Sequence, residues 1–159
     1  MNQLHLTTEF DQTADHIHIE LNENIVFEGS AFDGSIDIQP KNGVNQLRVY
    51  LIEKSLGNFV YSPLENTVKY DSNVIVNEII IQHRYFRSLL HKCGKVVINL
   101  KKNPGFKRPE IIGTNILTMA GSYYEIEFEY PVKFWMQRML HGRDVTLPIE
   151  RFSFIKPLL

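Results

Sequence analysis

The sequence holds a single cysteine, Cys93, among its 159 residues. An internal disulfide framework is thereby excluded, and a reducing compartment fits. Long hydrophobic runs are missing too, none approaching the ~20 residues that cross a bilayer. The opening "MNQLHLTTEFDQTADH" has neither a basic start nor an apolar stretch behind it, so no secretory signal peptide is expected. Net charge is almost absent, at -1. A general nucleic-acid binder usually carries a strong basic excess, so nucleic acid is not an expected partner. Catalytic and cofactor signatures are equally scarce. There is no Gly-x-Ser-x-Gly elbow, no Gly-x-Gly-x-x-Gly turn and no phosphate-binding lysine loop. No enzymatic activity and no cofactor are expected.

What is present is strand pattern. "HIHIEL" alternates Ile17, Ile19 and Leu21 against His16, His18 and Glu20, the two-residue period of a half-buried strand. "IVFEG" resumes after a turn at "NEN", and "GSIDIQP" carries Ile36 and Ile38. Asn42-Gly43 is a hairpin signal, because both residues tolerate positive φ. "QLRVYLIEKS" alternates Leu47, Val49 and Leu51 against Arg48, Tyr50 and Ile52. "NTVKY" and "NVIVNEIIIQH" read as two strands about a turn at Asp71 to Asn73. "RYFRSLLHKCG" fits either a short helix ended by Gly94 or an extended connection. "KVVINLKK" is a strand, and the Pro- and Gly-rich "NPGFKRPEIIG" a loop or edge segment. "SYYEIEFEY" sets Glu125, Glu127 and Glu129 on a water-facing side. "VKFWMQRML" is expected to continue the sheet beyond Pro131, and "VTLPIERFSFI" to finish it. Short strands punctuated by turns predict an all-β, antiparallel sandwich or barrel. Length and the lack of repeats or linkers predict one domain over 1–159, with residues 1–15 as a flexible N-terminal segment.

The order of the pieces resembles an arrestin-fold domain, most like the C-terminal half of arrestin-domain-containing trafficking adaptors. The resemblance lies in "HIHIELNENIVFEGSAFDGSIDIQP", "VNQLRVYLIEKS", "GSYYEIEFEYPVKF" and "RDVTLPIERF", within residues 16 to 155. It implies an immunoglobulin-like β-sandwich and a non-enzymatic, cytoplasmic adaptor or scaffold, peripheral to membranes. Its partners would be membrane-protein tails or sorting and signalling machinery. Two departures limit the comparison. The chain has room for one sandwich where arrestins carry two, and it lacks a Pro-Pro-x-Tyr motif, so neither a two-domain polar core nor ligase recruitment is implied.

Charge is unevenly distributed along the chain. Residues 1–40 contain eight acids and no Lys or Arg. Residues 82–109 contain Arg84, Arg87, Lys92, Lys95, Lys101, Lys102, Lys107 and Arg108 and no acid. These eight form the candidate binding surface, suited to an acidic or phosphorylated peptide or to anionic headgroups. The competing expectation is a solvated face balanced by the acidic third.

Four other features bear on function. His16 and His18 with Glu23 resemble half of a cupin metal motif, since His-x-His on a strand puts both imidazoles on one face. The other half is missing, and His83, His91 and His141 stand in unsuitable surroundings. A wet face of an edge strand is the favoured reading for His16, His18 and Glu20; a cupin-like metal enzyme or sensor is the alternative function. Cys93 beside His91 and Lys92 has one feature of an activated thiol, nearby cations, but no further partner at a recognised spacing. Phe134, Trp135 and Met136 suit an apolar anchor, though core positions are favoured. "FVYSP" and open strand edges suggest uptake of an extended peptide as an added strand. A structural subunit of a larger complex is the third function considered.

Overall fold

A computed structural model describes residues 2–8, 15–53, 59–62, 67–71, 73–99 and 111–141. The strands are β1 (Asn2–Thr8), β2 (His16–Leu21), β3 (Asn24–Ser30), β4 (Gly34–Asp37), β5 (Gly43–Glu53), β6 (Phe59–Ser62), β7 (Thr67–Asp71) and β8 (Val74–Ile81). They continue with β9 (Arg84–Tyr85), β10 (Lys95–Val97), β11 (Ile111–Ile112), β12 (Ile116–Leu117) and β13 (Tyr123–Tyr130). The helices among the described residues are α1 (Leu89–Lys92) and α2 (Val132–His141).

The strands form an antiparallel β-sandwich. One sheet runs β12-β8-β1-β4, with β9 turned back on β8. The other runs β11-β10-β13-β5-β2-β3, and β6 pairs with β7 as a separate ribbon. Period-2 alternation places the core between the sheets. Leu4, Leu6, Val76 and Ile79 come from the first sheet, and Ile17, Ile19, Leu47, Val49, Tyr124 and Phe128 from the second, all at most 1% exposed. They form one continuous cluster. The alternation read in "HIHIEL", "QLRVYLIEK" and "SYYEIEFEY" is therefore the inside-outside alternation of the sandwich.

Several local expectations fail, each for a physical reason. Residues 2–8 are not loose. Leu4 and Leu6 alternate with His5 and Thr7, and β1 lies between β8 and β4. Asn42-Gly43 does not close a hairpin. It lies where the chain leaves β4 in one sheet for β5 in the other, and Gly43 takes φ +95° there. The sharp change of direction needs the glycine; no strand pairing follows from it. The two strands read in "NTVKY" and "NVIVNEIIIQH" both form, β7 pairing with β6 and β8 with β1.

The largest correction is α2. "VKFWMQRML" turns helical because Val132, Trp135, Met136 and Met139 recur at helical spacing, all packed on or against the core. Trp135 completes an aromatic cluster with Phe86 and Phe128, with ring centroids 5.3 and 6.3 Å away. Pro131 just before the helix is well placed, since first-turn N–H groups lack intrahelical acceptors in any case. The ambiguity at "RYFRSLLHKCG" resolves into both options in turn, strand β9 and then the one-turn α1. "VTLPIERFSFI" lies outside the described residues. No helix among the described residues is long and apolar enough to cross a membrane.

Candidate basic cleft at the β8–β9 turn and helix α2

The site begins with a two-residue turn. Gln82 and His83 both take positive φ, 53° and 62°, so β8 reverses tightly into β9 and holds Arg84 and Tyr85 outside the sandwich. Gln82 then ties this turn to two distant segments. Its backbone N–H donates to Asn2 Oδ1 at 2.9 Å, and its side-chain Oε1 accepts the Val132 N–H at 2.9 Å. The second bond satisfies one of the open donors at the start of α2 and fixes the helix against the turn. Glu78 supports the other end of β9, accepting the Arg87 N–H at 2.9 Å.

Between the turn and α2 opens a cleft of about 480 Å³ lined by Gln82, Arg84, Pro131, Lys133 and Phe134. Arg84 and Lys133 are both exposed, and neither has an ion-pair partner among the described residues. Aromatic rings flank the charges. The Arg87 guanidinium lies 5.0 Å from the centre of the exposed Tyr85 ring, and the Lys133 ammonium 5.8 Å from that of Phe134. Cations held on aromatic faces keep their charge available while their stems are ordered. The nearby Glu129 is engaged by Arg138. Such an arrangement can hold a carboxylate or a phosphate through charge-assisted hydrogen bonds, with an apolar wall for the adjoining group.

Of the eight basic residues read from the sequence, the four that are described do not share one surface. Arg84 lines the cleft and Arg87 lies three residues on. Lys92 is exposed at the end of α1. Lys95 belongs to the outer face of the other sheet, where its ammonium stands 3.5 Å from Glu125. Sequence proximity misleads here because β10 pairs with β13, away from β9. Lys101, Lys102, Lys107 and Arg108 lie outside the described residues. Lys133 was not anticipated, Phe134 was expected as a core residue or an apolar anchor rather than beside a cation, and Gln82 was not anticipated. The helical spacing after Pro131 was the signal that could have found the first two.

His16 and His18 do share a face with Glu20, but β2 is an inner strand between β3 and β5 rather than an edge. His18 Nε2 is 2.8 Å from Glu20 Oε2 and its Nδ1 is 3.8 Å from Glu28 Oε2. Glu23 falls in the β2–β3 turn with φ 68°, beyond the end of β2 opposite His16. At ~3.3 Å per residue the strand alone separates His16 from Leu21 by roughly 16 Å. The His16, His18, Glu23 set is therefore not assembled, and no group of three potential ligands converges among the described residues. Around His18 the outer face is a polar-aromatic lattice. Arg48 Nε donates to Glu125 at 2.6 Å and its guanidinium lies over Tyr123, whose ring packs at a tilt against Tyr50. The Glu125 and Tyr50 hydrogen bonds hold the Arg48 guanidinium pKa well above its ordinary value.

Cys93 is half-buried, and burial pushes its thiol pKa up, with Lys92 opposing. That is the reverse of an activated nucleophile. Trp135 and Met136 are core, whereas Phe134 remains half-buried at the cleft.

No family model matches the chain, and no curated protein matches it. Among solved structures it is similar to vCBM60 in complex with galactobiose, with a TM-score of 0.48 and 10% sequence identity, over 80% of this chain and 96% of that one.

Proposed function

We propose that the protein is a non-enzymatic adaptor of the cytoplasm that captures an acidic, phosphate-bearing segment of a partner protein in the cleft between the β8–β9 turn and α2. One observation carries the reading. Arg84 and Lys133, far apart in sequence, meet without ion-pair partners among the described residues in a cleft walled by Pro131 and Phe134. Arg84 supplies a planar donor fork for phosphate oxygens and Lys133 a point charge. Phe134 and Tyr85 offer apolar faces to the flanking peptide. The resemblance of the strand order to arrestin-like domains points toward the same class of work, the binding of protein tails without turnover.

The test is titration of the full chain with a phosphoserine peptide flanked by acidic residues. Arg84→Glu and Lys133→Glu together are expected to lower affinity by tenfold or more, about 1.4 kcal/mol per factor of ten. Equal affinity of the double variant and the parent chain would remove the cleft from the account.

A further inference from the structure

Among the described residues, the outer edge of β3 is a second place where bonding capacity is left unused. β3 ends its sheet and, among the described residues, pairs only with β2. It is seven residues long and contains no lysine and no proline, two common devices by which edge strands discourage added strands. A third device, the bulge, is present but local. Ile19 faces Phe27 and Glu20 faces Ile25, so Val26 is the extra residue. From Phe27 to Ser30 the pairing is regular, one residue against one. Beside that run Ile25 and Val26 stay 60% and 40% exposed.

The electrostatics of this edge select its occupant. Every strand from β1 to β4 comes from residues 1–40, which hold eight acids and no Lys or Arg. On the outer face Glu28 is 56% exposed, and Glu23 is exposed in the adjoining turn. The cations of the same sheet are elsewhere and occupied, Arg48 and Lys95 both by Glu125. A second copy of the chain would bring the same carboxylates to its partner's edge. A cationic strand meets them favourably.

We propose that the outer edge of β3 accepts an extended segment of a partner protein in which basic residues alternate with apolar ones. Main-chain hydrogen bonds to Phe27–Ser30 hold the segment, its basic side chains fall beside Glu28 on the outer face, and its apolar side chains fall on the inner face beside the half-buried Phe27. This surface is distinct from the Arg84–Lys133 cleft and of opposite charge.

The probe is a short capped peptide alternating lysine and valine, followed by fluorescence anisotropy against the full chain. Three comparisons accompany it: the same peptide with alternate backbone amides N-methylated, a glutamate–valine peptide, and the Glu28→Lys protein, with Glu28→Gln as a milder variant. The expected result is saturable binding of the lysine–valine peptide, weakened about tenfold or more by each of the three changes and less by Glu28→Gln. Glu28→Lys is to leave phosphoserine-peptide affinity at the cleft unchanged, so the two sites fail or succeed separately. Absence of binding, equal binding of the N-methylated or glutamate–valine peptide, or a concentration-dependent dimer abolished by Glu28→Lys would each overturn the proposal.

Discussion

Tyr124 is fully buried, yet it keeps a hydroxyl in the core because the hydroxyl has a task. It donates to the Leu90 carbonyl at 2.6 Å, tying α1 to the centre of the larger sheet. Removing it leaves a buried acceptor unpaired, so Tyr124→Phe is expected to cost about 1–3 kcal/mol. The check is the denaturant midpoint, which should fall with an unchanged slope. Burial also pushes the Tyr124 pKa far above its ordinary 10.0. A raised folded value means that the unfolded chain loses this proton first. The contribution is therefore complete below pH 10.0 and lost as pH rises beyond it. Tyr124→Phe should show a shallower alkaline decline than the parent chain. Gly94 belongs to the same contact. A Cβ there would collide with the Tyr124 hydroxyl and the Leu90 carbonyl, and the latter is backbone that cannot swing away. Gly94→Ala should destabilise by about 1–3 kcal/mol through overpacking, measured in the same unfolding experiment.

At the scale of elements, α2 decides whether the cleft exists. It carries Lys133 and Phe134 outward while Val132, Trp135 and Met136 go inward. Gln137→Pro breaks the helix in its middle, at a cost of about 3 kcal/mol. It should lower helical circular dichroism and weaken phosphoserine-peptide binding, with Gln137→Ala changing neither. Strands such as β2, β5 and β13 were legible in the sequence because each keeps a strict two-residue alternation over a half-buried surface. α2 was not, since "FWM" suits a buried strand as well as a helix and only the wider spacing from Val132 to Met139 distinguishes them. Which strands pair was less legible still. Asn42-Gly43 signals a turn, but whether the chain turns back or crosses to the other sheet is set by the apolar faces of both flanking strands. Half of the cleft's charge was visible as Arg84. The other half arrives through the Gln82–Val132 hydrogen bond, a contact between residues fifty positions apart that no local pattern encodes.

For the molecule as a whole, near-zero net charge conceals an uneven distribution along the chain. The acidic first third supplies the edge strands β3 and β4, while Arg84, Arg87 and Lys133 gather at the β8–β9 turn and α2. On the proposed reading, the cationic cleft and the anionic edge take two unlike partners. Because the cleft charges are exposed, their attraction for an acidic peptide is screened by salt within about 10 Å at 0.1 M ionic strength. Phosphoserine-peptide affinity should accordingly fall steadily as salt is raised, and the Arg84→Glu, Lys133→Glu protein should lose most of that dependence. The most direct measurement is a backbone amide NMR titration of the full chain with the phosphoserine peptide. The account predicts saturable shifts concentrated at Gln82, Arg84, Tyr85, Lys133 and Phe134, with β3 unmoved. Shifts centred on the outer face around Tyr50 and Tyr123, or no shifts at all, would contradict it.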